Sequence, residues 1–593
     1  MLCCHRRTAR VAHVFQPVNA LDYLVLLGTL LGIAAYGMWR TRGRRDLRGY
    51  LSGDGTAGWF GIGLSVIATQ ASATTFLSTP GQGYQGGLGF VQNYFGGPFA
   101  MIVIAAVFLP IFRRLKVFTA YEYLGQRFDR KTRLLAAGIF LTQRGLGAAL
   151  TIYAPAIVLS GVFGWPLNLT IVCTGLVCVA YTVAGGSDAV RLTQQWQLGV
   201  IFAAMAAAFF LLLARLPTGL GDTFALAGVF HKLQAVDFST DAGHVLHERY
   251  TFWSGTLGGF FLALAYFGTD QSQVQRYLGG ASLRESRLGL MFHAVCKIPM
   301  QFFILLLGVL LFVFYQFEPA PLLFARTSQE RLAQLAPPEK LKKVEADFAA
   351  AQSAQTRELQ GWLAARRAGD VPAAQTALAA AQVAHNGGEK ARKEAAELLK
   401  ATQPTTTASE ADQVFITFIL QYLPHGLIGL LVAAFFAAAL NSKAAELSAL
   451  ASCSTVDFWR PLCAAGADDA GGVLVSKCFT VFWGAVAIAA ALSANLVENI
   501  VQAANIVGSL FYGPVLGLFL LAFFTKRVGG TAAFWGAVAA QAAVLALYGM
   551  GKYFPAWEIA YLWFNLLGPV LCVGFSLALQ AMQGNAPRAP QAA

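Results

Sequence analysis

Charge is what this chain is short of. Lys, Arg, Asp and Glu fill only 12% of its 593 positions while 56% are hydrophobic, and a soluble domain carries roughly twice that charge. The shortage excludes a water-soluble globule for most of the length. Also missing are the signatures of covalent and nucleotide chemistry. No P-loop, HExxH, GxSxG or Gly-rich dinucleotide fingerprint stands in its required context, so an enzyme is not expected and any work done must draw on an ion gradient. The nine cysteines are scattered, several inside apolar segments (Cys173, Cys178, Cys296, Cys572), with no CxxC pair and no histidines at zinc spacing. They read as thiols in lipid or cytoplasm, and no cofactor is expected. The net charge of +13 suggests nucleic acid in a soluble protein. Here the basic residues gather beside long apolar runs, as in cytoplasmic membrane loops, and no nucleic-acid partner is expected.

What is abundant is apolar length. A spanning helix needs roughly 20 mostly apolar residues, and about thirteen such runs emerge, near 21–40, 58–78, 88–112, 132–162, 166–183, 188–215, 252–275, 288–316, 426–456, 472–495, 499–524, 530–550 and 560–582. The first is too long for a signal-peptide core and is followed by a basic cluster, so it is expected to stay in the bilayer. The basic connections Arg40–Arg48, Arg113–Arg133, Arg276–Arg287, Arg460–Lys477 and Lys526–Arg527 all fall on one side of a thirteen-helix chain. By the positive-inside rule that side is the cytoplasm. The N-terminus is then outside and the C-terminus inside, in a plasma membrane, which is the inner membrane in a Gram-negative bacterium. His5, Arg6, Arg7 and Arg10 run mildly against this orientation.

Between the eighth and ninth runs, residues 318–412 turn rich in Ala, Glu, Gln, Lys and Arg with helical spacing and a break near His385–Gly388. They read as two water-exposed helices folded back on each other outside the cell. A lid or partner-docking hairpin and a solvated insertion without a transport role both fit; the second is favoured because surface loops tolerate insertions.

Polar residues inside apolar runs mark where transport chemistry can sit. The second run contains Ser65–Thr75 (SVIATQASATT), followed by Pro80 and several glycines. Two readings are open. The backbone unwinds there and exposes carbonyls to a cation, or the small residues pack tightly against a neighbouring helix. Ionisable residues inside spans are costly and each needs a reason. Arg144 lies midway along the fourth run, and Lys443 and Glu446 lie in the ninth. Arg144 or Lys443 reads as the counter-ion of an anionic solute, or Lys443 pairs with Glu446 or another carboxylate as a structural salt bridge; the first is favoured for Arg144 and the second for Lys443 and Glu446, which with Asp270 are also the gate or coupling candidates. Asp270, beside Thr269, Gln271, Gln273 and Gln275 and close to Arg276, reads as a gate salt bridge or helix-end anchor. Gln70, Ser72, Thr75, Tyr266 and Phe267 are the other pocket candidates, although core packing competes for each aromatic.

Four stretches resemble the sodium/solute symporter family. They are Gly49–Asp54 (GYLSGD) with Trp59 and Gly63–Ala73 (GLSVIATQASA), Pro110–Phe128 (PIFRRLKVFTAYEYLGQRF), Phe267–Arg276 (FGTDQSQVQR) and Gly508–Gly517 (GSLFYGPVLG). The resemblance implies an all-α membrane protein with the fold of the bacterial leucine transporter. Two five-helix inverted repeats form its core, from the second to the sixth and the seventh to the eleventh runs. The implied organisation is an extracellular tail (1–20), a first flanking helix with core helices 1–7 (21–317), the extracellular insertion (318–412), core helices 8–10 (413–524) and two C-terminal flanking helices with a cytoplasmic tail (525–593). It also implies a sodium ion between core helices 1 and 8, held by the carbonyls of Ala68, Ala71 and Ala438 and the side chains of Asn441 and Ser442.

The chain departs from the family in four places. Asn441-Ser442 replaces the usual pair of hydroxyls, Lys443 follows directly, and Gln194 stands where an aspartate is common on core helix 5. With Ala444 and Ala445 in place of later hydroxyls, a second sodium is not expected. The function implied is sodium-driven import of a small polar solute by alternating access, with sodium, solute and lipid bilayer as the partners. The segment Gly508–Pro514, Tyr153-Ala-Pro155 and the helix count resemble the iodide, monocarboxylate and vitamin branch, which puts a small organic anion first. A proton-coupled or uncoupled carrier and a membrane-embedded sensor are the alternatives. A sensor of this family is expected to carry a signalling domain, and only a short tail follows the last run.

Overall fold

Hydrocarbon offers a backbone amide no water to bond, so an apolar run must close its hydrogen bonds within itself. The computed structural model describes residues 18–40, 56–115, 117–402, 410–463, 469–493, 500–554 and 557–583, and these are helical almost throughout. The one sheet-like contact among them is a single bridge between Ala57 and Gly280. The basic residues before position 18, the connection after Arg40 with the Gly49–Asp54 stretch, and the C-terminal tail beyond position 583 lie outside the described residues.

Among the described residues ten helices are long and apolar enough to cross a membrane, and three shorter apolar helices, Ala20–Ile33, Trp59–Gln70 and Leu220–Val229, join them. Of the thirteen expected spans, the first is described as the shorter apolar helix Ala20–Ile33, and two others are broken. The second run becomes α1 (Trp59–Gln70) and α2 (Ala73–Gly86). The seventh becomes α5 (Gly259–Thr269) and α6 (Gln271–Leu278), with α3 (Arg130–Phe163) and α4 (Leu167–Arg215) lying between the two pairs. The 49 residues of α4 would extend about 74 Å if straight, more than twice a bilayer core. They carry two spans, Leu167–Ala184 and Thr193–Arg215. The hydroxyls of Tyr181 and Thr193 touch across twelve residues, which a straight helix would hold about 18 Å apart, so the chain reverses between them as the separate runs require.

Helix α7 (Leu283–Phe317) runs along both halves of the first broken helix. Small residues set the closeness of that contact. A Cβ at Gly83 would lie 2.2 Å from the Leu305 carbonyl oxygen, and one at Gly308 would lie 2.0 Å from that of Pro80. Helix α8 (Leu427–Cys453) packs on α3 and α4, and α9 (Ile500–Phe524) packs on α3 and α5. Large apolar side chains such as Leu24, Phe210, Leu474 and Val570 are exposed on the outer helices, where the surrounding medium is lipid.

The basic connections meet at one end of the bundle. Arg113 donates to the Gly280 carbonyl at 2.9 Å, Arg127 to that of Thr525 at 2.6 Å and Arg130 to that of Pro461 at 2.9 Å, and Arg133 pairs with Asp457 at 2.7 Å. The insertion forms a hairpin of Pro338–Ala368 and Val371–Thr402. Its turn is at Gly369, in the left-handed region with φ 76°, and not near His385–Gly388 as the glycine pair suggested. Gly387 and Gly388 instead lie inside the second helix, against Ala351 and Phe348 of the first, where absent side chains let the two helices approach. Asp370 caps the second helix through the Ala373 amide at 3.0 Å, the turn signal that the sequence reading passed over.

Candidate functional site

The first break arises because hydroxyl and small residues offer the backbone partners outside the helix ladder. At Ala71 the backbone leaves helical geometry with ψ 73°, and Ser72 is extended. The Ser72 amide donates to the Gln70 carbonyl at 2.9 Å and the Thr75 amide to the Ser72 carbonyl at 2.9 Å. The carbonyls of Ala68 and Ala71 therefore lose the amides four residues on that a continuous helix would supply.

Across from this break lies Asn441 of α8, fully buried, with neither atom of its side-chain amide hydrogen-bonded. Gln194 of α4 ties the two sides together. It accepts from Ser65 Oγ at 2.6 Å and donates towards Thr69 Oγ1 at 3.3 Å and the Asn441 carbonyl at 3.4 Å. Unclaimed carbonyls beside an unpaired amide oxygen are the hard oxygen donors that a small cation takes. Ala438 is buried one turn before Ser442 on the same helix. Lys443 is turned away from the break: its Nζ donates to the Ala148 carbonyl of α3 and to Glu446 Oε2 at 3.0 Å.

The second break is furnished differently. Asp270, fully buried, sits at the interruption itself rather than at a helix end near the surface. Its Oδ1 caps α6 by accepting from the Ser272 amide at 2.9 Å and the Ser272 hydroxyl at 2.6 Å, and its Oδ2 accepts from Tyr512 Oη at 3.0 Å and from Arg144. The carbonyls around it are taken by Tyr121, which donates to Thr269 at 2.9 Å, and Tyr277, which donates to Phe267 at 3.0 Å. Arg144 also pairs with Glu446 at 3.2 Å, and Glu446 with Lys443. Two cations and two carboxylates thus form one buried, charge-balanced cluster joining α3, the second break, α8 and α9. The expected Lys443–Glu446 pair is present; its extension to Arg144 and Asp270 is not legible in any local pattern.

A central cavity of about 160 Å³ lies between the two breaks. All six solute candidates, Gln70, Ser72, Thr75, Arg144, Tyr266 and Phe267, line it, together with Ser442 and Glu446, whereas Ala68, Ala71, Ala438, Asn441, Lys443 and Asp270 do not. The structure adds His293 and Lys297 of α7 and Asn93 to the wall. His293 Nε2 lies 3.1 Å from Gln70 Oε1, and Lys297 Nζ stands 4.7 Å from the centre of the Tyr94 ring. Their spacing of four on one helix face was the available signal. Among the described residues no group of three or more His, Cys, Asp or Glu side chains is placed to hold a metal.

Two helices broken at matching places in the two halves, around a cavity between them, define an inverted-repeat membrane transporter. A substrate-bound, outward-open Na+-coupled sialic acid symporter shares the fold, with a TM-score of 0.71 at 22% identity over 95% of this chain and 98% of that one. The sodium:solute symporter family model matches residues 50–351 and 394–540; the chain belongs to that family. It is 32% identical to the human sodium/iodide cotransporter over 52% of this chain and 48% of that protein, so the match spans about half of the relative's length. It is 25% identical to the sodium-dependent multivitamin transporter of Oryctolagus cuniculus over 87% of this chain and 67% of that one. With the sodium-coupled monocarboxylate transporter 1 of Mus musculus the identity is 26%, over 87% of this chain and 71% of the relative.

Proposed function

We propose that the protein is a sodium:solute symporter that imports a small polar solute, an organic anion first among the candidates, by rocking one helix bundle against the other around the central cavity. The observation that carries this reading is the pairing of the first break with Asn441: two carbonyls have no ladder partners, the buried Asn441 side-chain amide has none either, and Gln194 links the two helices. Sodium binds there to the carbonyls of Ala68, Ala71 and Ala438 and the side chains of Asn441 and Ser442. Because Ser442 also lines the solute cavity, an ion at this site and a solute beside it stabilise each other, which is the physical content of coupling. The relatives' printed names, for iodide, vitamin and monocarboxylate cotransporters, support the same assignment.

The main rival, a proton-coupled or uncoupled carrier in which Lys443 takes the place of the ion, is disfavoured by the engagement of its ammonium with Ala148 and Glu446. A membrane-embedded sensor predicts binding without flux. The end carrying the basic connections faces the cytoplasm of the plasma membrane, by the positive-inside rule, and the hairpin faces outward. Uptake into proteoliposomes, titrated with sodium at two pH values, tests the proposal. It should saturate with a Hill coefficient near one, and Ser442→Ala should shift the curve to higher sodium. A flat sodium response that follows pH would overturn it.

A further inference from the structure

The helical insertion does not stand free of the bundle. Residues 352–393 fall between the two segments that the family model matches, yet Leu359, Trp362, Leu363 and Ala381 from that stretch belong to the same buried apolar cluster as the bundle. A purely solvated addition would bury its apolar side only against itself. Its polar contacts gather where α7 ends, remote from the basic connection Arg276–Arg287. Gln355 donates to the Gln316 side chain in the last turn of α7, and Thr356 to the Gln316 carbonyl at 3.4 Å. Arg366 pairs with Asp222 of the helix Leu220–Val229 at 3.0 Å.

Arg392, on the second hairpin helix, reaches the first broken helix. It donates to Tyr84 Oη of α2 at 3.3 Å and to the Pro321 carbonyl at 3.1 Å, and it pairs with Glu389 at 3.1 Å. Its guanidinium lies over the rings of Phe324 and Phe348, 4.9 and 5.1 Å from their centres. A forked donor stacked on ring faces keeps little freedom. The next residue of α2, Gln85, accepts from Lys232 Nζ at 2.5 Å through its carbonyl. Both ends of α2 are therefore specified. Its first turn follows the break, where Ala71 leaves helical geometry, and its last turn is held at Tyr84 and Gln85. Fourteen residues make a rod about 21 Å long, and the close contacts at Gly83 and Gly308 seat it on α7. A rod packed this closely passes a shift at one end to the other.

We infer that the hairpin is a clamp on the second half of the first broken helix, with Arg392 as its positioning residue, and that seating of the clamp and occupancy of the first break stabilise each other. The inference rests on reading that break as a sodium site. It gives the insertion a part in transport through residues that the family model does not match. Coupling between two sites is reciprocal, so sodium should tighten the hairpin and the hairpin should favour sodium.

Hydrogen exchange on the full chain in lipid nanodiscs, in sodium chloride or with choline chloride in its place, tests the clamp. In the wild type, sodium should slow exchange in α2 over 73–86 and in the hairpin over 385–395. In Arg392→Gln and in Tyr84→Phe, saturating sodium should still protect α2 while the hairpin protection vanishes. Tyr84→Phe removes one hydroxyl and keeps the ring, so it gives an answer even if Arg392→Gln does not fold. The sodium concentration for half-maximal protection of α2 should rise about fivefold in Arg392→Gln, the low end of coupling between sites, and the double variant should rise no further. Arg357→Gln, on the same hairpin with its side chain 77% exposed, should change neither readout. Protection of α2 with none in the wild-type hairpin, hairpin protection kept in both variants, or an unmoved half-maximal sodium concentration would overturn the clamp while leaving symport intact. No sodium effect on α2 in the wild type would strike the symport reading and the clamp with it.

Discussion

The two broken helices occupy equivalent places in the two halves, yet one break is open and the other is filled. In the first, the Ala68 and Ala71 carbonyls have lost their ladder amides, and the buried side-chain amide of Asn441 on α8 has no hydrogen-bond partner. In the second, Tyr121 and Tyr277 donate to the Thr269 and Phe267 carbonyls, and Asp270 holds a capping serine, Tyr512 and Arg144. An interrupted helix in a membrane must satisfy its freed backbone groups from somewhere. The second break does so with its own side chains and is a fixed structural joint. The first leaves the Ala68 and Ala71 carbonyls without ladder amides.

The largest effect is expected where the filled break is emptied of charge. Arg144→Gln leaves Asp270 and Glu446 buried against Lys443 alone, and uncompensated burial costs about 3–5 kcal/mol. Thermal unfolding in detergent should show a large loss, partly restored by adding Asp270→Asn. A variant as stable as the wild type would mean that the cluster is not what closes this break. The open break should respond in binding rather than stability. Asn441→Ala should raise the sodium concentration for half-maximal uptake roughly tenfold, about 1.4 kcal/mol, with little change in unfolding without sodium.

A smaller loss, about 1 kcal/mol, is expected for Tyr277→Phe, which orphans the Phe267 carbonyl. Its sodium half-saturation should not move, and a shift there would show that the two breaks are coupled more directly than their contacts imply.

A pH-dependent effect is expected beside the hairpin, near the second half of the first broken helix. Arg392 donates to Tyr84 Oη at 3.3 Å, and Glu410 accepts from the Phe324 and Ala325 amides. Burial pushes the Glu410 carboxyl up to about 7, with those amides and Arg392 opposing. A carboxyl whose folded pKa is raised holds its proton more tightly in the folded state, so stability falls as pH rises from about 4.5 to 7. Glu410→Gln should match the wild type at pH 5 and melt higher at pH 8. Equal melting at both would detach this contact from the stability of the outer half-helix.

Much of this was legible in the residues. Apolar length marked where most of the runs lie, and the hydroxyl-rich Ser65–Thr75 stretch marked the first break because small polar residues can leave the helix ladder. The second break was not marked in the same way: Phe267–Arg276 read as a helix ending near Arg276, and nothing local showed that Asp270 would cap a new helix in mid-span. His293 and Lys297 passed unnoticed inside an otherwise apolar run, since a lysine in a span has no evident role until the cavity beside it is known. In the hairpin the paired glycines outweighed the true turn at Gly369–Asp370, because a glycine at a helix interface and one at a turn look alike in sequence.

By itself, then, the sequence determined what must be buried in lipid, which loops share a side and which helix can unwind, all consequences of composition and short-range hydrogen bonding. Which charges neutralise one another was decided only by the tertiary structure. Arg144 meets Asp270 from 126 positions away and Glu446 from 302, and in a medium that penalises every unpaired charge it is three-dimensional proximity, not spacing along the chain, that leaves Arg144 matched and Lys297 without a carboxylate.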